Sequence, residues 1–314
     1  MPKKDILEIY KKNFPSKLDN VFDVDAIDKF VSTIYNSYNA EDVLAIKDDS
    51  LFVEKTIIKH FLSVKKEEIS PEYLSLYARK MNSTTVKAGK PIIIFDELLQ
   101  HTLISFYLMM FSLIYNDSKE NFEKCFKNCI VLLDLQGNKR NIGVHNFNEI
   151  VEMCKLPKST IDLAMDAYWV SWTFIFAHEF YHAKCKDESS QQEELNADKY
   201  AYITLIDMIK EQKNTNFWGE IEVFHEYLYL APMMLLEYFK MLDFYNFLLG
   251  KETSYMNHPS PELRQKKLFD MFDNYIPEEF DTTQGNAIYN NFLDKIDMLR
   301  EQLEIKMQKG KLKI

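Results

Sequence analysis

The sequence predicts a mainly α-helical protein with one small β-sheet, an α+β arrangement. The chain of 314 residues contains only 7 glycines and 9 prolines, so long stretches carry neither of the residues that interrupt helices. Apolar residues recur every three or four positions, for instance along residues 25–38, which is typical of a helix that buries one face. The length allows one large domain or two modest ones, with a sizeable core.

The first part of the chain, residues 1–85, is predicted to be a helical N-terminal region. Helical spacing of apolar residues continues along residues 51–64. The segment 70–72, Ser-Pro-Glu, predicts a further helix start, with serine as the cap and proline in the first turn. The polar stretch 82–90 contains the predicted boundary to a second domain, residues 86–314.

The second domain is predicted to begin with a strand and a buried helix. Residues 91–95, PIIIF, have the composition of a short buried strand, and Asp96 is placed to cap the apolar helix Glu97–Tyr115. After one more helix, residues 130–147 predict a β-hairpin. An open strand edge of that hairpin can hold an extended peptide, whereas the alternative is a hairpin that only covers the core.

Charge and composition narrow the class of protein. A formal net charge of -10 argues against a nucleic-acid-binding protein, because no strong basic field covers the chain. The most apolar run, residues 103–115, is too short to span a bilayer and predicts a buried helix. The N-terminus lacks the apolar core of a signal peptide, and the 4 cysteines show no secreted disulfide pattern. We therefore expect a cytoplasmic protein with no membrane span.

The most informative segment is residues 177–183, with the sequence AHEFYHA. On a helix, His178 and His182 share one face about 6 Å apart along the axis, so both imidazoles can reach one Zn²⁺ ion. Glu179 lies beside that face, where it can take a proton from a water activated by the metal. The stretch Ser159–Lys186 contains no proline or glycine, which predicts one long buried helix around the motif.

A catalytic zinc site needs a third protein ligand. Ser190 followed by Glu193 has the form of a capping box, so a second helix is expected to begin there. If the two helices are antiparallel, Glu194 comes level with His182, and it is the predicted third ligand. Asp198, one turn after Glu194, is expected to accept the second ring N–H of a ligating histidine. Rival third ligands in the same turn are Asp187, Glu188 and Glu193.

The pattern HExxH followed by E-x-x-A-D at residues 194–198 resembles gluzincin zinc metallopeptidases. A second segment, residues 257–264 (NHPSPELR), is similar to the His-Pro motif with a following arginine in HtpX and CAAX-protease-like gluzincins. The resemblance implies a gluzincin-like core with additional helices. It also implies that His258 and Arg264 hold the substrate and the developing oxyanion. For Arg264 the plain alternative is a solvated residue on a helix predicted at Pro261–Tyr275.

The chain length and the mid-chain position of the motif also resemble soluble Lit-like phage-exclusion proteases. The membrane helices of HtpX-type enzymes have no counterpart in this sequence, and the spacing from His182 to Glu194 is shorter than theirs. The resemblance therefore implies a soluble enzyme rather than a membrane protease. A role in phage defence follows from the Lit-like similarity, and cleavage of a regulatory protein is the rival role.

These observations predict a zinc-dependent endopeptidase that hydrolyses a peptide bond in a protein or peptide substrate, with Glu179 as the general base. The alternative from another class is a non-catalytic helical interaction protein whose metal site is structural or lost. A structural site needs a fourth protein ligand, and Cys185, three residues after His182, is a candidate for it.

Overall fold

The structure is mainly α-helical, as predicted. It is a computed structural model that describes residue 61 and residues 72–76, 84–88, 90–137, 156–185, 190–212, 228–251, 258–276, 278 and 282–310. The described part of the chain forms three strands and seven helices. The helices predicted at residues 25–38 and 51–64 lie outside the described ranges, apart from Phe61, which is helical and buried.

Three strands form one sheet in the order β1-β3-β2. They are β1 (Glu72–Leu76), β2 (Thr84–Ala88) and β3 (Lys90–Asp96). Glu72 lies opposite Ile92 in the parallel pair β1–β3, and Thr84 lies opposite Ile94 in the antiparallel pair β2–β3. The three β-branched isoleucines of β3 suit a strand that is paired on both sides. The strand predicted at residues 91–95 lies within β3.

The beginning of this sheet differs from the prediction. The prediction of a helix that starts at residues 70–72 is wrong, because Glu72–Leu76 is strand β1. The Ser-Pro-Glu signal is local, and backbone pairing with β3 prevails over such a weak preference. The predicted domain boundary at residue 85 lies inside β2, and β1 pairs with β3 across it. The division into residues 1–85 and 86–314 stays a prediction.

Helix α1 (Glu97–Tyr115) follows β3 directly and has the predicted bounds. It runs through the core, where every residue from Phe106 to Phe111 is buried. The hydroxyl of Tyr107 lies 2.5 Å from Oγ of Ser171 and 3.2 Å from the carbonyl oxygen of Ala231, so it links α1 to two later helices. Among the helices described, none combines the length and the hydropathy needed to cross a membrane.

Helix α2 (Lys119–Gly137) takes the place of the first strand of the predicted hairpin. Residues 130–137 are helical, so the hairpin is wrong there, and residues 138–147 lie outside the described ranges. A short apolar run by itself does not distinguish a strand from a buried helix. The pattern that favours a helix begins before residue 130. It consists of buried residues with helical spacing: Cys125, Phe126, Cys129, Leu132 and Leu133. Residues 130–137 therefore do not provide the strand edge that was expected to hold a peptide.

Helices α3 (Lys158–Lys184) and α4 (Gln191–Gln212) form an antiparallel pair at the centre of the fold. Two contacts show that the helices are antiparallel: His178 meets Asp198, and His182 meets Glu194. The later residue of α3 thus meets the earlier residue of α4. The bounds of helix α3 agree with those of the helix predicted at residues 159–186 to within two residues at either end. It also packs against α1, β2 and β3, and its residues 170–180 are all buried.

Three further helices follow this pair along the chain. They are α5 (Ala231–Leu248), α6 (Pro261–Tyr275) and α7 (Thr282–Gln308). Helix α6 has the predicted bounds, and the side chain of Ser260 caps it by accepting the backbone N–H of Leu263. It packs against α4 and α5, whereas α7 packs against α5 and α1. The start of α6 therefore lies beside the helix pair that carries the predicted metal ligands.

Candidate metal centre

The last two turns of α3 carry the two histidines of the motif. His178 and Glu179 are 8% and 7% exposed, so the motif belongs to the buried part of the helix rather than to its surface. Helical spacing brings Nε2 of His178 and Nε2 of His182 to 3.1 Å from each other. The two ring nitrogens that are placed to bind a metal ion converge on one point, as the sequence predicted.

The first turn of α4 brings the predicted third ligand to that point. Oγ of Ser190 accepts the backbone N–H of Glu193, which is one half of the predicted capping box. The carboxylate of Glu194 then lies between the histidines, with Oε2 at 3.2 Å from Nε2 of His178 and Oε1 at 3.4 Å from Nε2 of His182. We call His178, His182 and Glu194 the ligand group. Their ligand atoms all lie within 4.8 Å of one another.

These distances fit a tetrahedral zinc ion. Zinc binds imidazole nitrogen at about 2.0–2.1 Å and carboxylate oxygen at about 2.0–2.2 Å. At tetrahedral angles, neighbouring ligand atoms are then about 3.3–3.5 Å apart. The three observed separations of 3.1, 3.2 and 3.4 Å lie close to that range. Two imidazoles and one carboxylate are also a donor set that zinc uses in catalytic sites. The residues therefore fit the ion.

Each ligand histidine has a carboxylate on its other ring nitrogen. Nδ1 of His178 donates to Oδ1 of Asp198 at 2.9 Å, and Nδ1 of His182 lies 3.3 Å from Oε1 of Glu193. Such contacts fix the ring orientation and keep Nε2 free to bind a metal ion. The structure thus brings Asp198 to the place expected from the sequence.

Glu193, a rival third ligand in the sequence, lies instead behind His182. The patterns that predicted the ligands did not predict this position of Glu193, although the sequence carries one signal for it. A residue next to Glu194 points about 100° away around the helix, and His182 needs a partner for Nδ1 just as His178 does. The two other rivals, Asp187 and Glu188, lie outside the described residues. Cys185 directly follows the last residue of α3 and is not part of the group of ligand atoms found among the described residues.

Arg264 reaches the site from α6 and binds Asp198. Its Nε donates to Oδ2 at 2.7 Å and its Nη2 donates to Oδ1 at 2.6 Å, a two-pronged ion pair. The side chain is 18% exposed, so the alternative of a solvated arginine is wrong. In this structure Arg264 supports Asp198 and, through it, His178. The oxyanion role implied by the resemblance stays a prediction.

His258 lies at the edge of the site, just before α6. Its Nδ1 is 3.2 Å from Oε2 of Glu194, and its side chain is 66% exposed. An exposed imidazole beside a buried ligand carboxylate is open to solvent and to a substrate. The structure therefore brings His258 to the ligand group, whereas its expected contact with an oxyanion stays a prediction.

The charges of the site shift the pKa values of the histidines upward. Burial lowers the pKa of His178, but hydrogen bonds with Asp198 and Glu194 outweigh that effect and raise the pKa to about 9. Burial also lowers the pKa of His182, yet the hydrogen bond with Glu194 and the charges of Glu179 and Glu194 turn the net shift upward. Each imidazole is thus held in a strongly anionic setting.

The carboxylates respond in the opposite direction. Burial raises the pKa of Glu194, but hydrogen bonds with His178, His182 and His258 bring it far below its usual range. Burial raises the pKa of Asp198 as well, and the charge and hydrogen bonds of Arg264 reverse that effect. Protons on the imidazoles therefore balance the negative charge of the carboxylates. A divalent cation bound to the same atoms supplies that charge and releases the protons.

Comparison with known proteins does not add to this description. No protein-family model, no curated protein and no solved structure matches the chain. What the fold and the site define together is a mainly α-helical protein with a buried His-His-Glu group that can hold a metal ion. The resemblance to gluzincins stays a prediction.

Proposed function

We propose that the protein is a zinc-dependent endopeptidase of the gluzincin type. The observation that carries the proposal is the ligand group, whose three ligand atoms lie within 4.8 Å of one another on two adjacent helices. A glutamate follows the first ligand histidine directly, which is where hydrolysis needs a base. The three-stranded sheet then corresponds to the small sheet expected of such a core.

Zinc, when bound, supplies a Lewis acid that polarises a peptide carbonyl and lowers the pKa of a water molecule. The remaining steps belong to side chains of this chain. Glu179 accepts the proton of the attacking water and passes it to the leaving amine. His258, exposed at the edge of the ligand group, donates a hydrogen bond to the oxyanion that develops on the carbonyl. Asp198 and Glu193 hold the two ligand imidazoles in place.

The same proposal includes a protein or peptide substrate and a cytoplasmic location. The described cysteines Cys125, Cys129 and Cys185 carry thiols rather than disulfides, which suits a reducing compartment. For the biological role, the Lit-like resemblance supports phage defence, and cleavage of a regulatory protein is the rival.

A non-catalytic protein with a structural metal ion is the second candidate. A structural zinc site is closed by four protein ligands, whereas the ligand group within the described residues has three. Three protein ligands leave a position for water, which favours the enzyme. Melting curves with and without a chelator separate the candidates, since loss of a structural ion unfolds much of the protein. A catalytic ion leaves the core largely intact when removed.

The decisive experiment compares the wild type with Glu179→Gln. Both proteins should contain about one zinc ion per chain, because Glu179 is not a ligand. New protein N-termini are then mapped across the proteome of cells that express each form, and only the wild type should generate them. Glu301→Gln, an exposed glutamate on α7, is the matched control and should cleave like the wild type. Undiminished cleavage by Glu179→Gln would refute the mechanism.

A further inference from the structure

A second buried polar cluster lies between α5, α6 and α7. We call it the Glu237 network, and it consists of Glu237, Lys240, Gln265, Tyr289 and Arg300. At its centre, Oε1 of Glu237 accepts hydrogen bonds from Nζ of Lys240 and from Nε2 of Gln265, both at 2.7 Å. Glu237 is 2% exposed and Gln265 is 8% exposed. The network is therefore part of the protein interior and not a surface ion pair.

Gln265 is the residue of α6 that enters this network. Its Nε2 also lies 3.0 Å from the hydroxyl of Tyr289 and 3.2 Å from the carbonyl oxygen of Met233, and its Oε1 accepts from Lys240 at 3.2 Å. One side chain thus joins α6 to α5 and to α7. Hydrogen bonds have a fixed direction and length, so they hold a helix against rotation and sliding more strictly than apolar contacts do.

The neighbouring residue of the same helix enters the metal centre. Arg264 and Gln265 are consecutive, so their side chains leave α6 about 100° apart. Arg264 points to Asp198 on α4, and Gln265 points to Glu237 on α5. Helix α6 is therefore attached on two sides, once to the helix of the metal ligand Glu194 and once to the α5–α7 pair.

We propose that Gln265 and Glu237 are positioning residues of the metal centre. They hold α6 at the rotation and axial position from which Arg264 reaches both oxygens of Asp198. Asp198 in turn orients His178 through its hydrogen bond to Nδ1. Sites of this kind tolerate displacements of about 0.5 Å and about 10–20° in their supporting groups. The proposal rests on metal binding by the ligand group, a part of the proposed function, and does not depend on proteolysis.

Cobalt is the probe for this proposal, because the visible absorption of Co²⁺ reports the geometry of its ligands. The full-length protein is freed of metal with a chelator and titrated with Co²⁺. Gln265→Met keeps the length of the side chain and removes its hydrogen bonds. We expect its Co²⁺ affinity to fall about tenfold, the lower end of the effect of outer residues on metal sites. The visible spectrum of its complex should also shift.

Two further variants make the result specific. Leu299→Ala removes a fully buried residue of α7 outside the network, so it lowers stability and should leave Co²⁺ affinity and spectrum unchanged. Arg264→Met removes the link to Asp198. The double variant carries both Arg264→Met and Gln265→Met. It should bind Co²⁺ no more weakly than Arg264→Met alone, because both changes act through the contact of Arg264 with Asp198. If Gln265→Met does not fold, Glu237→Gln takes its place with the same expected direction.

The outcomes separate this inference from the proposed function. If Gln265→Met is destabilised like Leu299→Ala but keeps the wild-type Co²⁺ affinity and spectrum, the positioning role is overturned and metal binding stands. Additive losses in the double variant overturn it as well, since the two residues then act independently. If the wild type itself binds neither Co²⁺ nor Zn²⁺, the proposed function fails, and this inference fails with it.

Discussion

Two buried polar clusters are attached to α6, the candidate metal centre and the Glu237 network, and their charges are balanced differently. In the network, one buried carboxylate faces two cationic side chains, Lys240 and Arg300. At the metal centre, the buried carboxylates of Glu193, Glu194 and Asp198 meet three imidazoles, which belong to His178, His182 and His258. Arg264 is the one permanently cationic side chain among the described contacts of these carboxylates. The network is complete without a ligand, whereas the metal centre needs protons or a cation.

The difference shows how a buried anionic cluster can be recognised as a binding site. A cluster that pairs its own charges, as around Glu237, contributes to the position of helices and has no need of a further ion. At the ligand group, hydrogen bonds with Asp198 and Glu194 instead raise the pKa of His178 to about 9, so the folded protein takes up a proton to compensate its own charge. Four predictions test this contrast.

The largest effect is expected for Glu194→Gln. The change removes the charged ligand between the two histidines and leaves an amide in its place. Zinc affinity should fall at least about 100-fold, because even residues behind the ligands change it about 10–100-fold. Competition with a coloured chelator measures this. Glu262→Gln, an exposed glutamate on α6, is the control, and equal affinity of the two variants would contradict the assignment of the ligand.

Asp198→Asn should affect both metal binding and stability. The change weakens the support of His178, so zinc affinity is expected to fall about 10–100-fold. It also leaves the guanidinium of Arg264 without its buried counterion, which costs about 3 kcal/mol of unfolding free energy. Urea unfolding in the presence of a chelator measures the second effect. A wild-type unfolding curve would show that the ion pair does not form.

The pH dependence of the metal-free protein follows from the raised pKa of His178. The unfolded imidazole has a pKa of about 6.5, and the folded one has a pKa of about 9. A raised histidine pKa stabilises the folded state fully below about pH 6.5, and this contribution is lost as the pH rises to about 9. We expect a loss of at most about 3 kcal/mol over that interval. Urea midpoints at several pH values in chelator test it, with His178→Gln as the variant whose profile should be flatter.

The smallest effect is expected for Arg300→Gln at the rim of the Glu237 network. Its Nη2 lies 3.4 Å from Glu237 and its side chain is 24% exposed, so solvent screens the pair. Glu237 keeps Lys240 and Gln265 as partners. The variant should lose less than about 1 kcal/mol of stability and bind zinc like the wild type. A large loss of zinc affinity would mean that the two clusters are coupled through Arg300 rather than through α6.

Several elements could be predicted because their signals are local. Helices α1 and α6 have the predicted bounds, since the apolar pattern, the caps and the proline at the start of α6 all lie within a few residues. The site was predictable for the same reason. His178 and His182 are one helical turn apart, and Ser190 starts the helix that returns with Glu194.

Other features were not predictable, because contacts between distant residues decide them. Strand β1 carries the local signal of a helix start and forms a strand only through its pairing with β3. The end of helix α2 has the sequence pattern of a hairpin strand, because an apolar run of strand length also fits a buried helix. The position of Glu193 behind His182 depends on how α3 and α4 are rotated against each other.

The sequence by itself determined the ligand group and the helices that carry it, because helical period and capping act over a single turn. Helical spacing also placed Asp198 one turn after Glu194, but only the tertiary structure decided how the other surrounding side chains meet that group. Arg264 meets Asp198 across 66 residues of sequence, and Gln265 meets Glu237 across 28. Which side chains meet over such separations depends on the packing of α6 against α4 and α5, and no local pattern encodes that packing.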